Sequence, residues 1–376
     1  MKRIWWIPIS LLLLSGCVPS KTDEKTEVIN DKEEVETAII PSMQLDDQFY
    51  RTLLPYKPSA TRGKIVNRLN SRYDITETEN GLLRLSQKQF SPEDYYFQEG
   101  QKITDEDVSA WLQRASQDNP LGLNLPDKRS GKQKESGERP PAEILAHVIE
   151  QNYLVKTAED KIRLGGISVG LALNSSYYGS ENGSSYEEVI PQAQIEKEGK
   201  RMANEIVKRL RKKEGLKDIP IVVALFKQNA GNALVPGTYF SMGAAPGGKE
   251  TIANWTPVNE NYVLFPTSGK DENYRDIDTA FRNFKQDVEV YFSNFTSVIG
   301  TGFYKENQLK ELKIEVPIQF YGAAELIGFT QYITGLVIEH FPEDIVIEIS
   351  ITSTNGPEAL ILKKPGETEP FVHIYE

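Results

Sequence analysis

The side chains in this 376-residue chain best placed to do chemistry are few, and the first is its single thiol. Cys17 follows the apolar run Ile4 to Leu14 in MKRIWWIPISLLLLSGCVPS, behind the short basic segment Lys2-Arg3. A bilayer core of ~30 Å takes about 20 apolar residues as helix, so this shorter run reads as an export signal and not as a span. Leu14-Ser15-Gly16-Cys17 has the form of a bacterial lipoprotein signal. A signal peptidase would recognise Leu14, Ser15 and Gly16, the Cys17 sulfur would take diacylglycerol, and cleavage would leave Cys17 as the mature N-terminus. Two acyl chains anchor stably where one does not, since each buried CH₂ contributes ~0.8 kcal/mol. Cys17 is thus expected to be a lipidation site and not a catalyst. No cofactor is expected beyond the covalent diacylglycerol, and an N-acyl lipid, on Cys17. The expected partners are the membrane, through that anchor, and the lipoprotein-processing enzymes.

The other chemistry-bearing residues are scattered. His147, His340 and His373 fall in no zinc-helix spacing, and no second cysteine is available, so no metal site is expected. His340 lies in the last turn of an expected helix, where a cation suits the dipole. His373 alternates with apolar neighbours in an expected final strand, and His147 falls on an expected helix face. No G-x-S-x-G elbow or Walker loop is present, and 54 Asp and Glu are too many to single out a glycosidase pair. No catalytic residue is expected. Two groups could meet a ligand. NSSYYGSENGSSYEE (174–188) sets Tyr177, Tyr178 and Tyr186 among Asn and Ser in an expected flexible loop, suited to carbohydrate or peptide. Its Glu181, Glu187 and Glu188 lack the spacing of an EF-hand. Tyr56, Lys57, Arg62 and Arg72 form a basic, aromatic group that could hold an anionic wall polymer, although packing and local ion pairs account for the same residues.

These groups need elements to hold them. Val108, Trp111 and Leu112 share a face in KITDEDVSAWLQR, a helix that Thr104 can cap. Ile167, Val169 and Leu171 alternate in a strand, and Ile195, Met202, Ile206 and Leu210 stripe a helix stopped by Gly215. IPIVVALFKQ and GTYFSMGAA read as strands. Ile277, Phe281, Phe284, Val288, Phe292 and Phe295 predict one long helix over 275–299. A strand at ELKIEVPIQFYG, a helix ending before Pro342 and further strands complete the chain.

The strand–helix–strand–strand order of 161–248 recurs in 310–376, with Asp218-Ile219 matching Asp344-Ile345, which points to duplication. The expected fold is α+β: two related β-α-β-β units forming sheets with helices on one side, plus an N-terminal α/β segment. The expected divisions are 1–16 (signal), 17–44 (acylated cysteine and flexible tether), 45–160 (N-terminal segment), 161–248 (first unit), 249–309 (connecting segment with the long helix) and 310–376 (second unit). Removing Lys2 and Arg3 takes the net charge from −11 to −13. So acidic a chain argues against nucleic acid as a partner, because polyanion affinity rests on Lys and Arg. A lone cysteine rules out an internal disulfide. An exported, lipid-anchored chain of this kind fits the extracytoplasmic face of a Gram-positive cell membrane.

With the signal at Leu14–Cys17, the stretches YRTLLPYKPSATRGKIVNRLNSRYDI and GLLRLSQKQFSPEDYYFQEGQ and the duplicated C-terminal unit, the chain resembles the CamS family of sex-pheromone lipoproteins of Firmicutes. The resemblance implies a precursor with two products: a surface lipoprotein without a settled biochemical role, and a short apolar pheromone trimmed from the released signal peptide. Here that peptide would lie within Ile7 to Gly16, and its partner would be a peptide-pheromone receptor. Two other classes stay open. One is a binding lipoprotein for peptide or wall polymer, marked by a deep polar cleft near Tyr177 and Tyr186. The other is a hydrolase, marked by converging polar residues.

Overall fold

The computed structural model describes residues 23–29, 35–43, 45, 49–67, 69, 71–131, 139–181, 184–291, 297–319 and 322–375. The lipidation signal, Leu14 to Cys17, lies outside them. The fold is α+β, with three sheets and five helices among the described residues.

The first large sheet is built from β1 (Glu24–Ile29), β2 (Val35–Ile40), β3 (Arg51–Thr52), β4 (Tyr96–Glu99), β5 (Leu145–Lys156), β6 (Ile162–Leu173), β9 (Ile221–Lys227), β10 (Thr238–Ala245) and β11 (Trp255–Pro257). The second holds β12 (Glu260–Phe265), β13 (Ile299–Lys305), β14 (Gln308–Pro317), β15 (Val346–Ser353), β16 (Gly356–Lys363) and β17 (Phe371–Ile374). β7 (Ser176–Glu181) and β8 (Ser184–Val189) form a separate hairpin. The helices are α1 (Arg72–Ser86), α2 (Asp105–Leu112), α3 (Gln192–Leu210), α4 (Arg275–Tyr291) and α5 (Ala323–His340).

The two large sheets share one topology. Neighbours run β4-β5-β6-β9-β10-β11 in the first and β12-β13-β14-β15-β16-β17 in the second. Successive junctions are antiparallel, antiparallel, parallel, antiparallel and antiparallel in both. α2 and α4 occupy the first connection of each series, and α3 and α5 the parallel crossover. The β-α-β-β pattern legible in the sequence is therefore the centre of a longer repeat, and the two copies lie in separate sheets.

Within each copy the two helices pack on one face. Trp111, Ile195, Met202 and Ile206 meet Val169, Leu171, Val223 and Leu225 in one core. Phe281, Phe284, Phe329 and Ile333 meet Leu312, Ile314, Ile347 and Ile349 in the other. The opposite face of the first sheet is covered by α1, whose Leu82 and Leu85 pack on Tyr153, Val222, Phe226 and Tyr239. On β14 the residues facing away from the helices, such as Lys313 and Glu315, are exposed, the alternation of a sheet packed on one side.

Three expectations are corrected. Residues 24–29 and 35–40 are not flexible tether but a β-hairpin, with Val28, Ala38 and Ile40 packed on Leu53, Tyr96, Leu154 and Ile162. His147 lies on a strand and not on a helix, because β5 is central and buried on both faces, which erases the period-2 signal. The helix expected over 275–299 does not reach its expected end: it is described over Arg275–Tyr291, and Ile299 already belongs to β13. Phe292 and Phe295 lie outside the described residues. In β13, a Cβ on Gly300 would sit 2.5 Å from the Phe281 ring, so the strand needs glycine to receive α4.

Candidate functional site

α1 starts where Ser71 Oγ accepts the Asp74 amide at 3.1 Å. Asp74 Oδ1 in turn accepts the Gly237 amide at 2.6 Å, so the helix start is tied to the β9–β10 connection. With Leu82 and Leu85 turned to the sheet, Glu79, Asn80 and Leu83 fall along the flank next to β5 and β4. They form one wall of a cleft of about 150 Å³. Phe97 and Glu99 of β4 and His147, Ile149 and Gln151 of β5 form its base, and Ser59, Thr61 and Arg62 its rim. Leu83, Phe97 and Ile149 supply apolar surface between these polar groups.

Most of the polar groups are already held. Glu99 accepts from the Ser59 amide at 2.7 Å and from the Tyr56 hydroxyl, and Arg62 Nε lies 3.6 Å from it. Arg62 Nη1 donates to Tyr56 Oη at 2.8 Å. Gln151 Nε2 donates to the Glu79 carbonyl at 2.9 Å, and Gln151 Oε1 accepts from Tyr153 at 2.9 Å. Glu150, beneath the base, accepts the Lys102 and Ile103 amides, the latter at 2.7 Å, and anchors the loop leading into α2. Burial raises its carboxyl above the usual range, partly offset by those amides.

The Glu79 carboxylate differs: among the described residues it makes no hydrogen bond and no ion pair. Although Glu79 is exposed, partial desolvation in the cleft raises its proton affinity, the Glu99 charge raises it further, and Arg62 offsets part of this. Glu79 and Glu99 outweigh Arg62, so the cleft presents negative charge beside apolar surface. Among the described residues no group of three or more His, Cys, Asp or Glu is arranged to hold a metal ion.

The two sequence-predicted ligand groups are not brought together. Tyr56 and Arg62 stand at the cleft, and Lys57 is paired with Glu36. Lys57 and Arg62 thus sit against carboxylates and do not form an open basic patch. Arg72 starts α1. Tyr177, Tyr178 and Tyr186 lie on the β7–β8 hairpin and not on a flexible loop. Tyr177 packs on the other face of the sheet, at the α2–α3 core. Its ring meets Tyr186 at 6.3 Å, Arg139 lies 4.1 Å from the Tyr186 centroid, and Tyr178 donates to Glu187 at 3.0 Å. His340 bonds Asp287 at 2.7 Å, joining α5 to α4, and His373 lies edge-on to Tyr375. The sequence reading missed Glu79, Asn80, His147 and Gln151 as cleft residues. The usable local signal was Ser71 three residues before Asp74, which marks the helix carrying two of them.

Fold and cleft define a duplicated α+β protein of two large sheets with a small acidic cleft between the first sheet and α1. A family model described as CamS sex pheromone cAM373 precursor matches residues 56–369, and the chain belongs to that family. The crystal structure of a sex pheromone precursor from Lactobacillus salivarius subsp. salivarius superposes with a TM-score of 0.82 at 28% identity, covering 89% of this chain and 98% of that one. The C-terminal domain of the sex pheromone staph-cAM373 precursor from Staphylococcus aureus superposes at 0.69 with 29% identity, covering 82% and 99%. No curated protein matches. No described helix is long and apolar enough to cross a membrane.

Proposed function

We propose that the chain is a lipoprotein anchored through Cys17 on the extracytoplasmic face of a Gram-positive cell membrane. In this reading its signal peptide is the source of a short apolar pheromone and its folded body is non-catalytic. The observation that carries it is the single cysteine placed after Leu14-Ser15-Gly16 in a chain of this family. Signal peptidase and the acylating enzymes act first, and the pheromone, a heptamer or octamer from Ile7 to Gly16, acts on a peptide receptor. Mass spectrometry of medium from the native host and from a strain lacking the gene tests the second product. The expected result is a gene-dependent peptide ending at or near Gly16; its absence, with a spiked synthetic peptide recovered, removes the pheromone from the reading. Acyl labelling of wild type and Cys17→Ala tests the anchor, which predicts loss of label and of membrane retention together.

A second reading, favoured by the cleft at Glu79, is that the folded body binds a ligand, a peptide or a wall polymer.

A further inference from the structure

We infer that the cleft between α1 and the β4–β5 edge binds a primary ammonium carried on a short apolar stem, with Glu79 as the counter-charge. This names the ligand class for the binding reading and rests on it; it does not depend on the lipid anchor.

Three features lead to this class. The first is charge. Among the described residues Glu79 has no hydrogen-bond or ion-pair partner, and the cation they place at the rim, Arg62, is engaged by Tyr56 and Glu99. An anionic ligand would meet two carboxylates; an ammonium would supply the missing partner of one. The second is rigidity. Gln151 is held at both ends, by the Glu79 carbonyl and by Tyr153, and the rim loop is fixed to Glu99 and to Gln101, whose Nε2 donates to the Pro58 carbonyl at 3.2 Å. A walled cleft with fixed polar groups makes binding less costly, because little has to be ordered on association. The third is size and surface. About 150 Å³ beside Leu83, Phe97 and Ile149 suits a single side chain or chain end, not a folded partner.

Two sources carry this chemistry: the free N-terminus of a peptide that begins with an apolar residue, and a lysine side chain. A fragment of this chain that begins at Ile7, Ile9 or one of Leu11 to Leu14 would be of the first kind, with a primary ammonium on an apolar residue.

The test titrates the processed full chain, in neutral detergent micelles, with n-butylammonium, n-butanol and butyrate, following the methyl resonances of Leu83 and Ile149. The expected result is that n-butylammonium moves both, and that Glu79→Gln, an exposed position where the fold is not at stake, weakens it by about two- to fivefold, the scale of a solvent-accessible ion pair. If butanol or butyrate moves those methyls as readily, the ammonium class is overturned while the binding reading stands. If none of the three moves them, both fall. Unchanged affinity in Glu79→Gln overturns the role of Glu79. With the class supported, Ile-Ser amide (residues 9–10) with a free N-terminus, its N-acetyl form and Nα-acetyl-lysine amide separate the sources. A preference for the free N-terminus assigns a peptide end, and a preference for the lysine derivative assigns a side chain.

Discussion

At the residue scale, two arginines hold parts of the molecule that no apolar contact could hold as specifically. Arg84 Nη2 lies 2.6 Å from Glu77 and 2.7 Å from Glu260, and Tyr262 donates to Glu77 at 2.6 Å, so α1 of the first half is bonded to β12 of the second. Burial raises the Glu77 carboxyl above 4.5, against the pull of Arg84 and Tyr262. A folded carboxyl with raised proton affinity contributes stability that is lost as pH rises from the unfolded value through the folded one. Arg84→Met leaves two buried carboxylates facing each other without a cation. The expected cost is about 3–5 kcal/mol at neutral pH. It should be smaller at mildly acidic pH, where protonation of Glu77, whose carboxyl is already raised, relieves the repulsion. Denaturant midpoints at the two pH values check this; an equal deficit at both would rule out the charge mechanism. Arg211 donates to the carbonyls of Leu216, Ile219, Ala245, Pro246 and Lys249, at 2.5–2.9 Å. Arg211→Met should cost roughly 3 kcal/mol or more by leaving buried carbonyls unpaired, and Arg211→Lys should recover little of it because an ammonium cannot reproduce the fork.

At the scale of elements, the β1–β2 hairpin is held more by its side chains than by sheet pairing. It meets the main sheet in register at Val28 and Ile162. Thr26 donates to the Asp160 carbonyl at 2.9 Å, Lys161 pairs with Glu27 at 2.8 Å and Lys156 with Glu24 at 2.5 Å. Exposed ion pairs of this kind contribute little. The buried residues carry the docking, each worth about 1.5–3 kcal/mol for a side chain such as Ile40, which is 1% exposed. Ile40→Asp is therefore expected to release the hairpin while the rest stays folded. Limited proteolysis with mass spectrometry should then show fast cleavage confined to residues 18–45, and an unchanged digest would overturn the assignment of docking to this cluster.

For the whole molecule, the docked hairpin would set how far the body can stand from the bilayer under the proposed anchor at Cys17. With Cys17 acylated, six residues, 18–23, separate the anchor from β1. Fully extended they reach about 20 Å. The 157–161 turn, which contacts β1, is then held near the lipid surface. In the proposed anchored form, where the one native thiol would carry the lipid and leave a single site to label, a spin label on Asp160→Cys should be broadened by relaxation agents in the headgroup region. That broadening should fall when Ile40→Asp lengthens the tether. Equal broadening in both would mean that the hairpin does not set the height.

Sequence alone determined what depends on neighbours along the chain. Thr104 and Asp107 do form a capping box at the start of α2, and the stripe Ile195, Met202, Ile206 and Leu210 is fully buried. The β-α-β-β order of both repeats is likewise a local pattern. Tertiary structure decided the rest, because the deciding contacts are remote. β5 is buried on both faces and carries Glu150, Gln151 and Asn152 in its interior, so neither periodicity nor polarity marks it as a central strand. Ion pairing changed the meaning of Lys57 and Arg62, whose partners Glu36 and Glu99 are distant in sequence. The cleft draws Arg62, Glu79, Glu99 and His147 from four segments. Whether a carboxylate such as Glu79 stands free or paired depends on which of those segments the fold sets beside it, and no local pattern encodes that.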